Sequence, residues 1–107
     1  MLPKINRADK KTIDRVFKEG KFLNSPSFTF RYLRTEALTP RLSFLAPKSI
    51  AKLAVKRNAL RRWGYRALEK NMQHVPRGLV GAFIFKRSPV DQQTFQNEIE
   101  TILCKIN

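Results

Sequence analysis

One run constrains this chain more than any other: Leu79-Val80-Gly81-Ala82-Phe83-Ile84-Phe85. A half-exposed strand alternates polar and apolar residues; seven positions without a polar side chain predict a strand buried on both faces. Such a strand needs other strands beside it and helices over it. The sequence before it offers three candidate strands. Ser27 to Arg34 alternates, with Phe28, Phe30 and Tyr32 on one face and Thr29, Arg31 and Leu33 on the other. Arg41 to Ala46 alternates again, with Leu42, Phe44 and Ala46 matched against Ser43 and Leu45. Lys21 to Asn24 makes a short first strand before the turn signal Asn24-Ser25-Pro26. The polar link 35–40 is short, so the second and third runs read as an antiparallel hairpin.

Three helices flank these strands. Residues 1–8 read as extended and basic, and Asp9 is placed to cap a helix over 9–19. In that helix Ile13, Val16 and Phe17 fall at i, i+3 and i+4, a spacing that by itself makes Phe17 a core residue. Gly20 suits its left-handed end. A second helix starts near Lys56, after a loop over 51–55, and is closed by 71–76, with Arg77-Gly78 turning the chain into the apolar strand. Strand, crossover helix and strand form a βαβ unit. Ser88-Pro89-Val90-Asp91 opens a third helix with Ser88 as cap and proline at the first helical position. Phe95, Ile99, Ile102, Leu103 and Ile106 form its apolar stripe. The order α-β-β-β-α-β-α predicts a small α+β sandwich, one domain of 107 residues with about four strands.

The crossover helix carries the charge. Lys48 to Lys70 holds Lys48, Lys52, Lys56, Arg57, Arg61, Arg62, Arg66 and Lys70 against one acid, Glu69. Leu60, Trp63, Gly64, Ala67 and Leu68 recur as an apolar stripe. Arg57, Arg61 and Tyr65 stack at successive turns opposite it, flanked by Asn58, Arg62 and Arg66. Arginine offers phosphate a planar fork of donors, and Tyr65 offers a ring to a base. The same face also fits a plain solvated basic helix. The whole chain tips the balance: 22 basic and 8 acidic residues give a net charge of +14, which calls for a polyanionic partner. Nucleic acid fits better than a membrane surface, because no run approaches the roughly 18 apolar residues of a spanning helix and the amino terminus lacks an apolar signal region. A single cysteine, Cys104, agrees with a reducing cytoplasm. Asp91, Glu98 and Glu100 gather on the third helix, which is therefore expected to face away from the nucleic acid.

Catalytic chemistry is harder to find. His74 is the only histidine and reads as a solvated residue at a helix end. One His and one Cys give neither metal-ligand spacing nor a nucleophilic triad. Four scattered glycines form no phosphate loop. The residues alone predict a nucleic-acid binder with no small-molecule substrate, no catalytic residue and no metal site of its own.

Four segments, MLPKINR at the start, VFKEGK at 16–21, RLSF at 41–44 and AVKRNALRRW at 54–63, together resemble the bacterial ribonuclease P protein component. The resemblance runs over nearly the whole chain. It implies a sandwich with a left-handed crossover, an exception to the usual hand. It also implies a catalytic RNA as partner, magnesium ions held by that RNA, and cutting of the 5′ leader from precursor tRNA. By position, Arg57, Asn58, Arg61 and Arg62 would face the catalytic RNA, and Lys48 would match the first lysine of a pair before the helix. Phe17 and Phe28 would line a leader cleft between the sheet and the first helix, which moves Phe17 from core towards a part-exposed stacking surface. Arg31 stands where that cleft has a tyrosine, and Lys86 and Arg87 stand near an expected lysine that is Ser88 here. Other departures are Ala59 for a basic residue, Ser49 for the second lysine, Ile13 for phenylalanine and Tyr65-Arg66 for an Arg-Glu pair. They predict a cleft that leans on phosphate charge more than on stacking. A ribosomal protein or RNA chaperone on a similar scaffold remains the alternative.

Overall fold

The run Leu79–Phe85 is a strand with six of its seven residues buried. It lies inside a sheet rather than at an edge. The computed structural model describes residues 10–36, 39–87 and 91–106. Along the chain these form α1 (Lys10–Glu19), β1 (Lys21–Asn24), β2 (Phe28–Arg34), β3 (Arg41–Leu45), α2 (Ala54–Lys70), a 3-10 turn (Met72–His74), β4 (Leu79–Phe85) and α3 (Gln92–Ile106). The predicted α+β order is the observed one. The extended start, the Asp9 cap and the Ser88 cap lie outside the described residues.

Strand order is β1-β2-β4-β3. This corrects the expected β2–β3 hairpin. β4 runs antiparallel to β2, with Phe83 opposite Phe30, and parallel to β3, with Phe83 opposite Phe44. The short β1 and the alternating β3 take the two edges, whereas the uniformly apolar β4 gains most from having both edges paired. Thr35 ties the end of β2 to the start of β4: its N–H and its hydroxyl both donate to the Gly78 carbonyl, at 2.8 and 2.9 Å. Gly78 turns the chain there at φ 74°, a left-handed conformation that glycine adopts freely.

The sheet has two unlike faces. Phe28, Phe30, Leu42, Phe44, Leu79, Phe83 and Phe85 point to one, where α2 and α3 cover them with Leu68, Phe95, Ile99 and Leu103. Aromatic rings fill this layer: Phe83 stacks on Phe30 at 4.2 Å and on Phe44 at 4.6 Å. α2 reaches the sheet because Gly64 has no side chain; a Cβ there would stand 2.5 Å from the Phe44 ring. The other face is covered in part by α1, which buries Val16.

Helix ends differ from expectation in two places. Gly20 does not take the left-handed conformation. Its role is close approach: its N–H donates to the Val16 carbonyl at 2.8 Å, and a Cβ would meet that oxygen at 2.4 Å and the Tyr32 carbonyl oxygen at 2.7 Å. α2 begins at Ala54, slightly ahead of Lys56, with no side chain capping its first turn. At the start of α3, Asp91 acts as a cap. Its carboxylate accepts the Thr94 N–H at 2.7 Å and the Thr94 hydroxyl at 3.0 Å, and these bonds hold its pKa below the ordinary carboxylate value. The acids of α3 also include Glu98, which accepts from Ser25 Oγ at 2.6 Å and from Ser27 N and Oγ at 2.8 Å. Glu98 therefore fastens the β1–β2 turn to α3.

Candidate nucleic-acid interface

α2 presents the predicted basic side chains on its outer surface. Lys52, Lys56, Asn58, Arg62 and Arg66 are exposed, as is Lys48 before the helix; Arg57 and Arg61 are half-buried. The acceptors these two guanidiniums use are neutral. Arg57 donates to the carbonyls of Ala51 and Lys52 at 3.1 and 2.8 Å. Arg61 donates to the Asn58 side-chain oxygen one turn back. A guanidinium on neutral acceptors keeps its full charge, and its five N–H groups exceed the bonds it makes here.

Tyr65 departs from its predicted role. It is 7% exposed and belongs to the core, edge-on to Phe44 at 5.1 Å. Its hydroxyl accepts the Phe44 N–H at 3.3 Å and lies 3.4 Å from Ser43 Oγ. The cause is topological. β3 is an edge strand, so some of its N–H groups find no strand partner, and Tyr65 caps one of them. What stays open of its ring lines a groove beside α2.

Beside α2 runs a groove of about 1010 Å³. Phe17 of α1 stands on one wall and Asn58, Arg61 and Arg62 of α2 on the other, with Leu45, Pro47 and Ile84 between. The basic row and the aromatic of the first helix, expected as two separate sites, thus border one channel. Pro47 and Ile84 could not be picked out from the sequence, because the parallel pairing of β3 with β4 is what brings them together.

The expected cleft residues divide. Phe17 is 38% exposed, in keeping with a stacking surface. Arg31 holds it: the guanidinium carbon lies 5.2 Å from the Phe17 ring centroid, and Nη1 donates to the Phe17 carbonyl at 3.2 Å. Phe28 is fully buried, packed edge-on against Phe83 and Phe95. It points to the α2/α3 side of the sheet, and Arg31 points to the other, so Phe28 cannot line a cleft with Arg31. Lys86 and Arg87 are exposed just beyond β4 but do not line the groove. Phe22 of β1 is an exposed ring on the Arg31 face that the sequence does not single out, since four residues of alternation do not tell which side stays open.

A channel with an aromatic ring on one side and arginines on the other suits single-stranded nucleic acid, stacking a base and holding phosphates. Among the described residues, no three His, Cys, Asp or Glu side chains gather as metal ligands would, and no helix is long and apolar enough to cross a membrane.

The sequence model of the Ribonuclease P family matches residues 2–107. No curated protein sequence matches at a significant level. Among solved structures, the ribonuclease P protein of Thermotoga maritima superposes with a TM-score of 0.83 at 23% identity, covering 94% of this chain and 97% of that one. The Staphylococcus aureus ribonuclease P protein gives 0.78 at 19% identity, covering 98% and 97%. A Staphylococcus aureus mutant described as defective in mRNA degradation activity gives 0.82 at 20% identity, covering 96% and 89%. At these identities the structures establish a shared fold.

Proposed function

We propose a division of labour that starts from one fact: this chain belongs to the Ribonuclease P family and is a protein subunit of that endoribonuclease. The exposed side of α2, with Arg57, Asn58, Arg61, Arg62, Arg66, Lys52 and Lys56 and with Lys48 ahead of it, takes the phosphates of the catalytic RNA. The channel beginning at Phe17 and Arg31 takes the single-stranded 5′ leader of precursor tRNA, with Lys86 and Arg87 adding positive charge. The catalytic RNA holds the magnesium ions that activate water, and it cuts. The protein lowers the electrostatic cost of bringing two polyanions together and fixes where the leader lies. This takes place in the cytoplasm.

The observation that carries this reading is the shared groove, with Phe17 facing Asn58, Arg61 and Arg62 across it. Cleavage of precursor tRNA at low magnesium tests it. Protein and a bacterial ribonuclease P RNA together are expected to release the 5′ leader faster than the RNA alone, and protein alone is expected to release none. Binding of the RNA with no gain in cleavage would favour a plain RNA-binding module. Cleavage by protein alone would overturn the division of labour.

A further inference from the structure

Four large apolar side chains stand exposed among the described residues: Phe17, Phe22, Leu53 and Val55. Two of them are aromatic, and both adjoin Arg31. Phe17 lies under its guanidinium. Phe22 is its direct partner in the β1–β2 ladder. Residues opposed in a ladder share a face of the sheet, with Cβ atoms about 5 Å apart. Across this row exposure rises towards the edge: Ala82 on β4 is buried, Arg31 on β2 is half-buried and Phe22 on β1 is 57% exposed.

The chain holds the two rings in a fixed relation. Gly20 lies between them in sequence and packs its backbone against Val16 and Tyr32 too closely for any side chain. α1 therefore passes directly into β1, and the open ring of each element stays on the Arg31 face. On the same face, Asn24 accepts the Thr29 hydroxyl at 3.1 Å. The surface beyond Arg31 thus continues as a ring beside small polar groups, and none of the described helices covers it.

We infer that Phe22 is a base-stacking residue for the RNA strand held at Phe17 and Arg31, extending that binding surface across β1 to the sheet edge. The inference rests on the leader reading given above. In it the Arg31 guanidinium neutralises backbone phosphate between two stacking positions. A phenyl face serves any base, so Phe22 adds affinity for unpaired leader nucleotides with little sequence preference.

The test uses the protein assembled with ribonuclease P RNA and compares binding of precursor tRNA with that of mature tRNA. Phe22→Ala is expected to weaken precursor binding about fivefold to 150-fold, the range for one stacked base, and to leave mature tRNA unaffected. Phe22→Leu, which keeps the apolar bulk but lacks a π face, is expected to lose as much as Phe22→Ala. Phe22→Tyr is expected to bind as wild type does. With leaders carrying one abasic nucleotide at each position in turn, one position should weaken the wild type but not Phe22→Ala. Unchanged precursor binding by Phe22→Ala, or rescue by Phe22→Leu, overturns the inference while the leader reading stands. Equal binding of precursor and mature tRNA by the wild-type complex overturns both.

Discussion

Tyr65 spends its hydroxyl on the Phe44 N–H, so the predictable loss on Tyr65→Phe is one of stability. Leaving that edge-strand donor without an acceptor should cost about 1–3 kcal/mol in urea unfolding, with RNA affinity unchanged. Phe28 makes the same point more strongly: Phe28→Ala opens a cavity among Phe83 and Phe95 and should cost about 3–5 kcal/mol of stability. Both residues were legible as aromatic positions on the correct element. What the sequence could not show is which side of that element would be covered, because alternation and helical spacing define faces without saying what packs on them. Arg31 and Phe17 behave differently, since one leans on the other. Arg31→Ala should weaken leader-dependent binding more than Phe17→Ala. The double variant should lose less than the two single losses combined, because the residues are in contact. Titration of precursor tRNA onto the assembled complex measures all three; the reverse order of the single variants would remove the argument that charge outweighs stacking here.

Elements were largely readable because their patterns are strong. The apolar run of β4, the stripes of α2 and α3 and the alternation of β2 and β3 each name their own type. Their pairing was not readable, since a six-residue link between β2 and β3 permits a hairpin and equally permits β4 to enter between them. The fit of α2 onto the sheet turns on Gly64. Gly64→Ala would press a methyl group into the fully buried Phe44 ring and should destabilise by about 1–3 kcal/mol in thermal or urea unfolding. At the start of α3, Asp91 has a pKa lowered chiefly by the Thr94 N–H and then by the Thr94 hydroxyl. A carboxyl whose folded pKa lies below its unfolded value of about 3.9 contributes its stabilisation above that value and loses it as pH falls through the lowered folded pKa. Asp91→Ala should therefore melt below wild type at neutral pH, and the gap should narrow in acid below about pH 4. A gap that stays constant with pH would mean the carboxylate is not the cap.

At the scale of the whole molecule, a charge of +14 on 107 residues predicts that phosphate contact is the largest contribution to the proposed assembly with RNA. The sequence announced this charge, and the fold concentrates much of it along α2 and the groove beside it. The most direct test is the salt dependence of assembly with ribonuclease P RNA, measured for wild type and for the Arg57→Ala/Arg61→Ala variant. If 6–10 phosphates are neutralised, wild-type affinity should fall about a thousandfold or more between 50 and 200 mM salt, and each arginine removed should make the logarithmic slope shallower by about one. A slope that is already shallow in the wild type, or one that the double substitution leaves unchanged, would contradict the account.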